Sequence, residues 1–249
     1  MISRREFIQA TLIGLATGKI GYDSIKDIRK GYIENKIYNE LPKYVHLFEN
    51  KAIVEIGGKE EERKTVGCGI AIGDKFITLD HIRVLPYQQM NTPFGVITVT
   101  TPIKESKFYI GYQELEGIIT NPMRDVAVFK NPGVSEFPCK PRYDYKIGEP
   151  VYIVGNPRLS GPNIRKANIS DVDGVGSDRF SYGCFGIDRP IISGDSSTPV
   201  IGEDFKLLGL SASVYFGELG YIKKISMFRQ HIDKDYGKSE LDKIMEMPV

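Results

Sequence analysis

The sequence predicts an all-β fold: two six-stranded β-barrels flanked by N- and C-terminal helices. Three observations predict it. From about residue 44 onward the chain breaks into short β-branched or alternating runs, each stopped by Gly, Pro, Asn or Asp. A Pro-rich connector, "NPGVSEFPCKPRYDYKIGEP" (131–150), divides those runs into two sets of roughly six. Apolar residues at helical spacing occur only near the two ends.

The elements follow in order. Residues 1–21 contain "SRREFIQ" (Ser3–Gln9), in which Arg4 and Arg5 are followed by one intervening residue, then Phe7 and an aliphatic. This resembles the twin-arginine export signal. The apolar stretch through Ala16 is too short, and too interrupted by Gln9 and Thr11, to span a bilayer. Gly14-Leu15-Ala16 supplies small residues for a weak cleavage site. The resemblance implies an exported or membrane-tethered protein; the other reading is an amphipathic N-terminal helix on a cytoplasmic protein. Over residues 22–43, Ile25, Ile28, Tyr32, Ile33, Ile37 and Leu41 form a helical stripe stopped by Pro42.

The remainder, 44–249, divides further. A first barrel over about 44–130 is read from "AIVEI", "GCGIAI", "KFITL", "GVITVT", "KFYIGY", "GIIT" and "VAVFK". A second, about 147–222, is read from "PVYIVG", "ANISDV", "RFSYG", "PVIGE" and "KLLGLSASVYF". A helix over about 223–246 closes the chain, with Ile225, Phe228 and Ile232 on one face.

Composition narrows the partners. With 41% apolar and 26% charged residues the chain is that of a soluble globular protein. A formal charge of +1 gives no field for nucleic acid or for a membrane surface. Cys68, Cys139 and Cys184 lie far apart, which excludes the usual zinc spacings; their odd number leaves at least one thiol free or shared between chains. No metal and no organic cofactor is expected.

Chemistry concentrates in "GDSSTP" (194–199), where Ser196 follows Asp195 between two apolar runs. Alone, these are ordinary turn residues. A serine nucleophile also needs a base, a group that orients the base, and backbone N–H donors for an oxyanion. Of the three histidines, His46 and His231 have no motif around them, whereas His81 ends the apolar strand of "FITLDHI". Asp125 immediately precedes the strand "VAVFK".

In order, "GCGIAIGDKFITLDHI", "RDVAVFK" and "GDSSTPV…LLGLSA" resemble the His, Asp and Ser blocks of the trypsin-like serine proteases, most closely the HtrA-like branch. "GEPVYIVGNPRLSG" is similar to that branch's strand and turn, and Asp188 lies eight residues before Ser196, where the branch also keeps an acid. The resemblance spans roughly residues 65–215. It implies that 44–249 is a peptidase domain with a chymotrypsin-like double barrel, a serine endopeptidase acting on peptides or unfolded protein. Ser196 would be the nucleophile, His81 the general base and acid, and Asp125 the orienting acid. The N–H groups of Gly194 and Ser196 would form the oxyanion hole, a glycine being suited to turning its amide toward a ligand. The specificity pocket would be lined by Pro190, Ile191 and Ser193 and by Ser211, Ala212, Ser213 and Val214. Val214 stands where many relatives have a pocket-opening Gly, and no acid occupies the pocket base, so small or medium aliphatic residues are the expected substrates.

Three departures qualify the resemblance. Ser197-Thr198 replaces Gly-Gly after the nucleophile. No zymogen-type cleavage site is present, so Asp195 must find a partner other than a new N-terminus, or lie exposed. Only about 25 residues follow the last predicted strand, too few for the PDZ domain common in the branch. A catalytically silent double barrel that binds an extended peptide along "LSASVYF" is the alternative, and an esterase or transferase with the same triad is a third reading.

Overall fold

The computed structural model describes residues 34–83, 87–92, 95–100, 102–121, 124–155, 163–172, 183–192, 194–215 and 219–232, with Gly31 and Gly161. The candidate export signal, the start of the 22–43 helix, the strand "RFSYG" as far as Tyr182, and the tail beyond residue 232 lie outside them. The chain divides into two units, Met1–Glu40 and Leu41–Val249. The first contains helix α1 (34–40). The second opens with a 3₁₀ turn, Leu41–Tyr44, that includes Pro42; the ring's fixed φ is compatible with that turn. Among the described residues no helix is long and apolar enough to cross a membrane.

Among the described residues, the first half of the second unit has nine strands: β1 (His46–Ile56), β2 (Lys59–Ile72), β3 (Lys75–Thr78), β4 (Tyr87–Thr92), β5 (Gly95–Thr100), β6 (Ile103–Ile110), β7 (Gln113–Glu114), β8 (Ile119–Asn121) and β9 (Val126–Lys130). Seven of them form one curled antiparallel sheet in the order β7-β6-β1-β2-β3-β9-β8, and β4 pairs with β5 as a separate ribbon. The sheet is therefore a half-barrel of seven strands where six were predicted. β1 shows why it curls around one core: Phe48, Asn50, Ala52 and Val54 alternate inward. Phe48, Phe108 and Phe129 meet in the core with ring centroids 5.1–5.9 Å apart. The one polar member of that row, Asn50, is satisfied by the Ser106 hydroxyl at 2.8 Å and the Lys107 carbonyl at 2.9 Å.

The second half is a closed six-stranded barrel of β10 (Pro150–Gly155), β11 (Asn163–Asp171), β12 (Cys184–Ile187), β13 (Pro199–Gly202), β14 (Leu207–Tyr215) and β15 (Leu219–Lys224), in the order β10-β11-β12-β15-β14-β13. Its core is aliphatic, built from Val151, Ile153, Ile169, Ile187, Val200, Leu208 and Ile222 around Phe185. The predicted C-terminal helix starts later than residue 223. Lys223 and Lys224 end β15, which closes the barrel by pairing with both β12 and β14. A 3₁₀ turn, Ile225–Phe228, and α2 (Arg229–Ile232) then follow.

Candidate active site

β3 and β9 run antiparallel, with Thr78 opposite Ala127. The end of β3 and the start of β9 are therefore adjacent, and His81 and Asp125 are the residues just beyond those two ends. After β3, Leu79 is still extended (φ −94°, ψ 144°), and the chain then enters a 3₁₀ turn, Asp80–Ile82, that carries His81. Arg83 ties this turn to itself through an ion pair with Asp80: Nη2 donates to Oδ2 at 3.0 Å, and Nε lies 2.6 Å from Oδ1 without making a hydrogen bond.

Asp125 sits in the left-handed region at φ 54°, a conformation that Asp tolerates better than most residues. It is fully buried. Its Oδ1 accepts the backbone N–H of His81 at 2.8 Å, and its Oδ2 lies 2.8 Å from His81 Nδ1. Burial pushes the Asp125 carboxyl up, but the His81 ring, the charge of Lys223 and the His81 backbone N–H together hold it below the usual value. An ionised carboxylate only accepts hydrogen bonds, so Nδ1 must carry the proton and Nε2 is left as the basic nitrogen. His81 keeps 16% of its side chain exposed.

Ser196 comes from the other barrel, on the turn before β13, and is half-buried. Hydrogen bonds carry this turn to the first barrel, one of them a long bond from the Cys68 thiol to the Gly194 carbonyl at 3.8 Å. The Cys68 N–H of β2 donates to the Ser196 carbonyl at 2.8 Å, and the Leu79 N–H donates to the Ser197 hydroxyl at 2.7 Å. Ser197 is fully buried at φ 64°. A non-glycine residue there carries strain on the order of 1 kcal/mol. Gly194 has φ 95°. Its neighbour Ser193, expected in the pocket wall, lies outside the described residues.

The predicted partner problem of Asp195 has a definite answer. Asp195 is fully buried, and its carboxylate is paired with Arg165 of β11. The same guanidinium donates to the Pro190 carbonyl at 2.9 Å, and the Ile192 N–H donates to Asp195 at 3.1 Å. Gly155 makes the room: a Cβ there would collide with Asp195 Oδ1. The partner of Asp195 is thus an internal cation. Sequence reasoning missed Arg165, although it lies on the inward face with Ala167 and Ile169 in an alternating strand, which was a usable signal.

Ser211, expected on the pocket wall, is fully buried beneath the turn. Its hydroxyl bonds the Asp195 carbonyl and lies 2.8 Å from the Thr198 hydroxyl, and its carbonyl accepts the Ser197 N–H at 2.8 Å. Ile191 belongs to the barrel core and Ala212 is buried, whereas Pro190 is partly exposed. Ser213 and Val214 lie on β14, with Val214 opposite Gly220. Asp188 is exposed and accepts the Asn168 backbone and side-chain N–H groups at 2.7 and 2.8 Å. All three cysteines are free and buried. Burial, then the charge of Asp195, pushes the Cys68 thiol up to about 12, so it is no nucleophile at neutral pH. Among the described residues, no three His, Cys, Asp or Glu side chains cluster closely enough to hold a metal ion.

Solved structures share this architecture. The Rv3671c protease from M. tuberculosis, in its active form, superposes with a TM-score of 0.56 at 18% identity, over 80% of this chain and 84% of that one. The HtrA-type protease AlgW with a decapeptide gives 0.57 at 12% identity, over 80% of this chain and 67% of that one. The fold is that of the trypsin-like serine proteases. No protein-family model matches the chain, and no curated protein does. The turns bearing His81, Asp125 and Ser196 are tied together where the two barrels meet.

Proposed function

We propose that this chain is a serine endopeptidase in which Ser196, His81 and Asp125 form the triad. The observation that carries the reading is the double hold of Asp125 on His81, through Nδ1 and the backbone N–H, beside a serine-bearing turn. Ser196 Oγ attacks the scissile carbonyl while His81 Nε2 takes its proton. His81 then returns that proton to the leaving amine, which departs as the acyl-enzyme forms. Water repeats the sequence and frees Ser196. The N–H groups of Gly194 and Ser196 receive the oxyanion.

A peptide substrate agrees with the AlgW structure, which was solved with a decapeptide. The pocket supports aliphatic specificity. Gly220, opposite Val214, is hemmed by the Arg189 carbonyl and by Ile187 and Ile191, and Asp188, two residues before Pro190, is tied to Asn168. A Lys or Arg side chain entering such a pocket would be desolvated without a partner. A peptide library should be cut after Ala, Val and similar residues, with loose discrimination because one methylene is worth only about 1–3 kcal/mol. A dominant preference for Arg or Lys would overturn the pocket assignment. Cleavage that persists in purified Ser196→Ala would overturn the triad.

A further inference from the structure

We propose that Ser197 is a positioning residue that sets the distance between the nucleophile and the base. The inference rests on the triad reading above. His81 lies two residues after Leu79, and Ser196 immediately precedes Ser197. The hydrogen bond from the Leu79 N–H to the Ser197 hydroxyl, 2.7 Å long, therefore closes a short link between the two turns. It joins residues 118 positions apart and crosses from one barrel to the other.

Several features show that this hydroxyl is held for the bond. Ser197 is fully buried, so its Oγ is not simply facing water. Its φ of 64° is one that glycine adopts without strain, yet the chain places a side chain there. Its own N–H is anchored to the Ser211 carbonyl at 2.8 Å, and Ser211 is in turn bonded to Thr198 and Asp195. The acceptor is thus fixed to the second barrel, while the donor belongs to the segment that leads into the 3₁₀ turn of His81. The neighbouring bond from Cys68 N–H to the Ser196 carbonyl, 2.8 Å long, is a second tie between the same two barrels. A glycine at residue 197 has no acceptor with which to reach Leu79. Ser197 touches no reacting atom; it acts through the backbone that carries His81.

Two variants separate positioning from bulk stability. Ser197→Ala removes the acceptor and keeps the left-handed strain. Ser197→Gly removes the acceptor and releases the strain. Each is measured for kcat and KM on a cleavable peptide, for melting temperature, and for amide exchange at Leu79. The expected result is faster exchange at Leu79 in both variants and a kcat lower by roughly 10- to 100-fold, with KM within about twofold of the parent. Ser197→Gly should melt above Ser197→Ala, yet lose as much turnover, so that rate follows the hydroxyl and not stability. Full kcat in folded Ser197→Gly, or a kcat loss that merely tracks the melting temperature, would overturn the proposal while the parent's turnover leaves the triad standing. A parent no more active than Ser196→Ala would remove the triad reading, and the positioning role with it.

Discussion

Asp125 offers both carboxylate oxygens to a single residue, and that arrangement leaves His81 one tautomer. Asparagine is the informative replacement because it tolerates the same left-handed backbone and changes only charge and hydrogen-bond polarity. With its amide nitrogen facing Nδ1 it would force the opposite tautomer, so Asp125→Asn should lower kcat by about 10⁴-fold in a peptide-cleavage assay. The same variant reads stability against pH. The carboxyl of Asp125 is held below its usual value, so its stabilising contribution is complete above the unfolded value near 4 and is lost as pH falls through the lower folded value. The difference in urea midpoint between parent and Asp125→Asn should accordingly be constant from about pH 5 to 7 and shrink below about pH 4. A difference that grows on acidification would contradict the assigned direction.

The β11 strand shows what an element contributes beyond its core face. Ala167 and Ile169 pack into the barrel, and Arg165, next on the same face, supplies the cation for Asp195. Gly155 on the facing strand β10 leaves the space into which that carboxylate fits. Removing the cation takes the bonded counter-charge from a buried carboxylate, so Arg165→Met should destabilise the fold by about 3–5 kcal/mol in urea unfolding. Pairing it with Asp195→Asn should recover much of that loss. A cost below about 1 kcal/mol for Arg165→Met would mean that the pair does not hold the nucleophile turn. This interaction was readable in advance, since an arginine among inward alternating apolar residues demands a buried acid. The bond between Leu79 and Ser197 was not, because nothing local marks a partner 118 positions away. Nor was the fully buried Lys223, which with Lys224 looks like the solvated start of a helix.

At the scale of the molecule, the apolar strands were legible and the polar ones were not. "VAVFK", "PVYIVG" and "PVIGE" fall on β9, β10 and β13 because each buries a β-branched run. The first half of β2, "KEEERK", has mostly exposed residues and pairs with β1 as a ribbon beyond the core, so no hydrophobic period announces it. β4, "YQQMNT", is likewise too polar to be read as a strand from pattern. His81, Asp125 and Ser196 could be singled out as candidates because each stands beside an apolar run in the sequence. Along β14 the alternation is broken by a register shift between Ser211 and Ser213, which no local pattern marks.

The two barrels bring His81 and Asp125 from one side of the cleft and Ser196 from the other, and the central claim is that this meeting activates Ser196. Labelling the folded protein with a fluorophosphonate, followed by peptide mapping, tests it most directly, because the reagent reports an activated serine without assuming any substrate. The account predicts one adduct, on Ser196, absent from denatured protein and from His81→Ala. An unlabelled Ser196 in well-folded protein, or an adduct that survives His81→Ala at the parent rate, would contradict it.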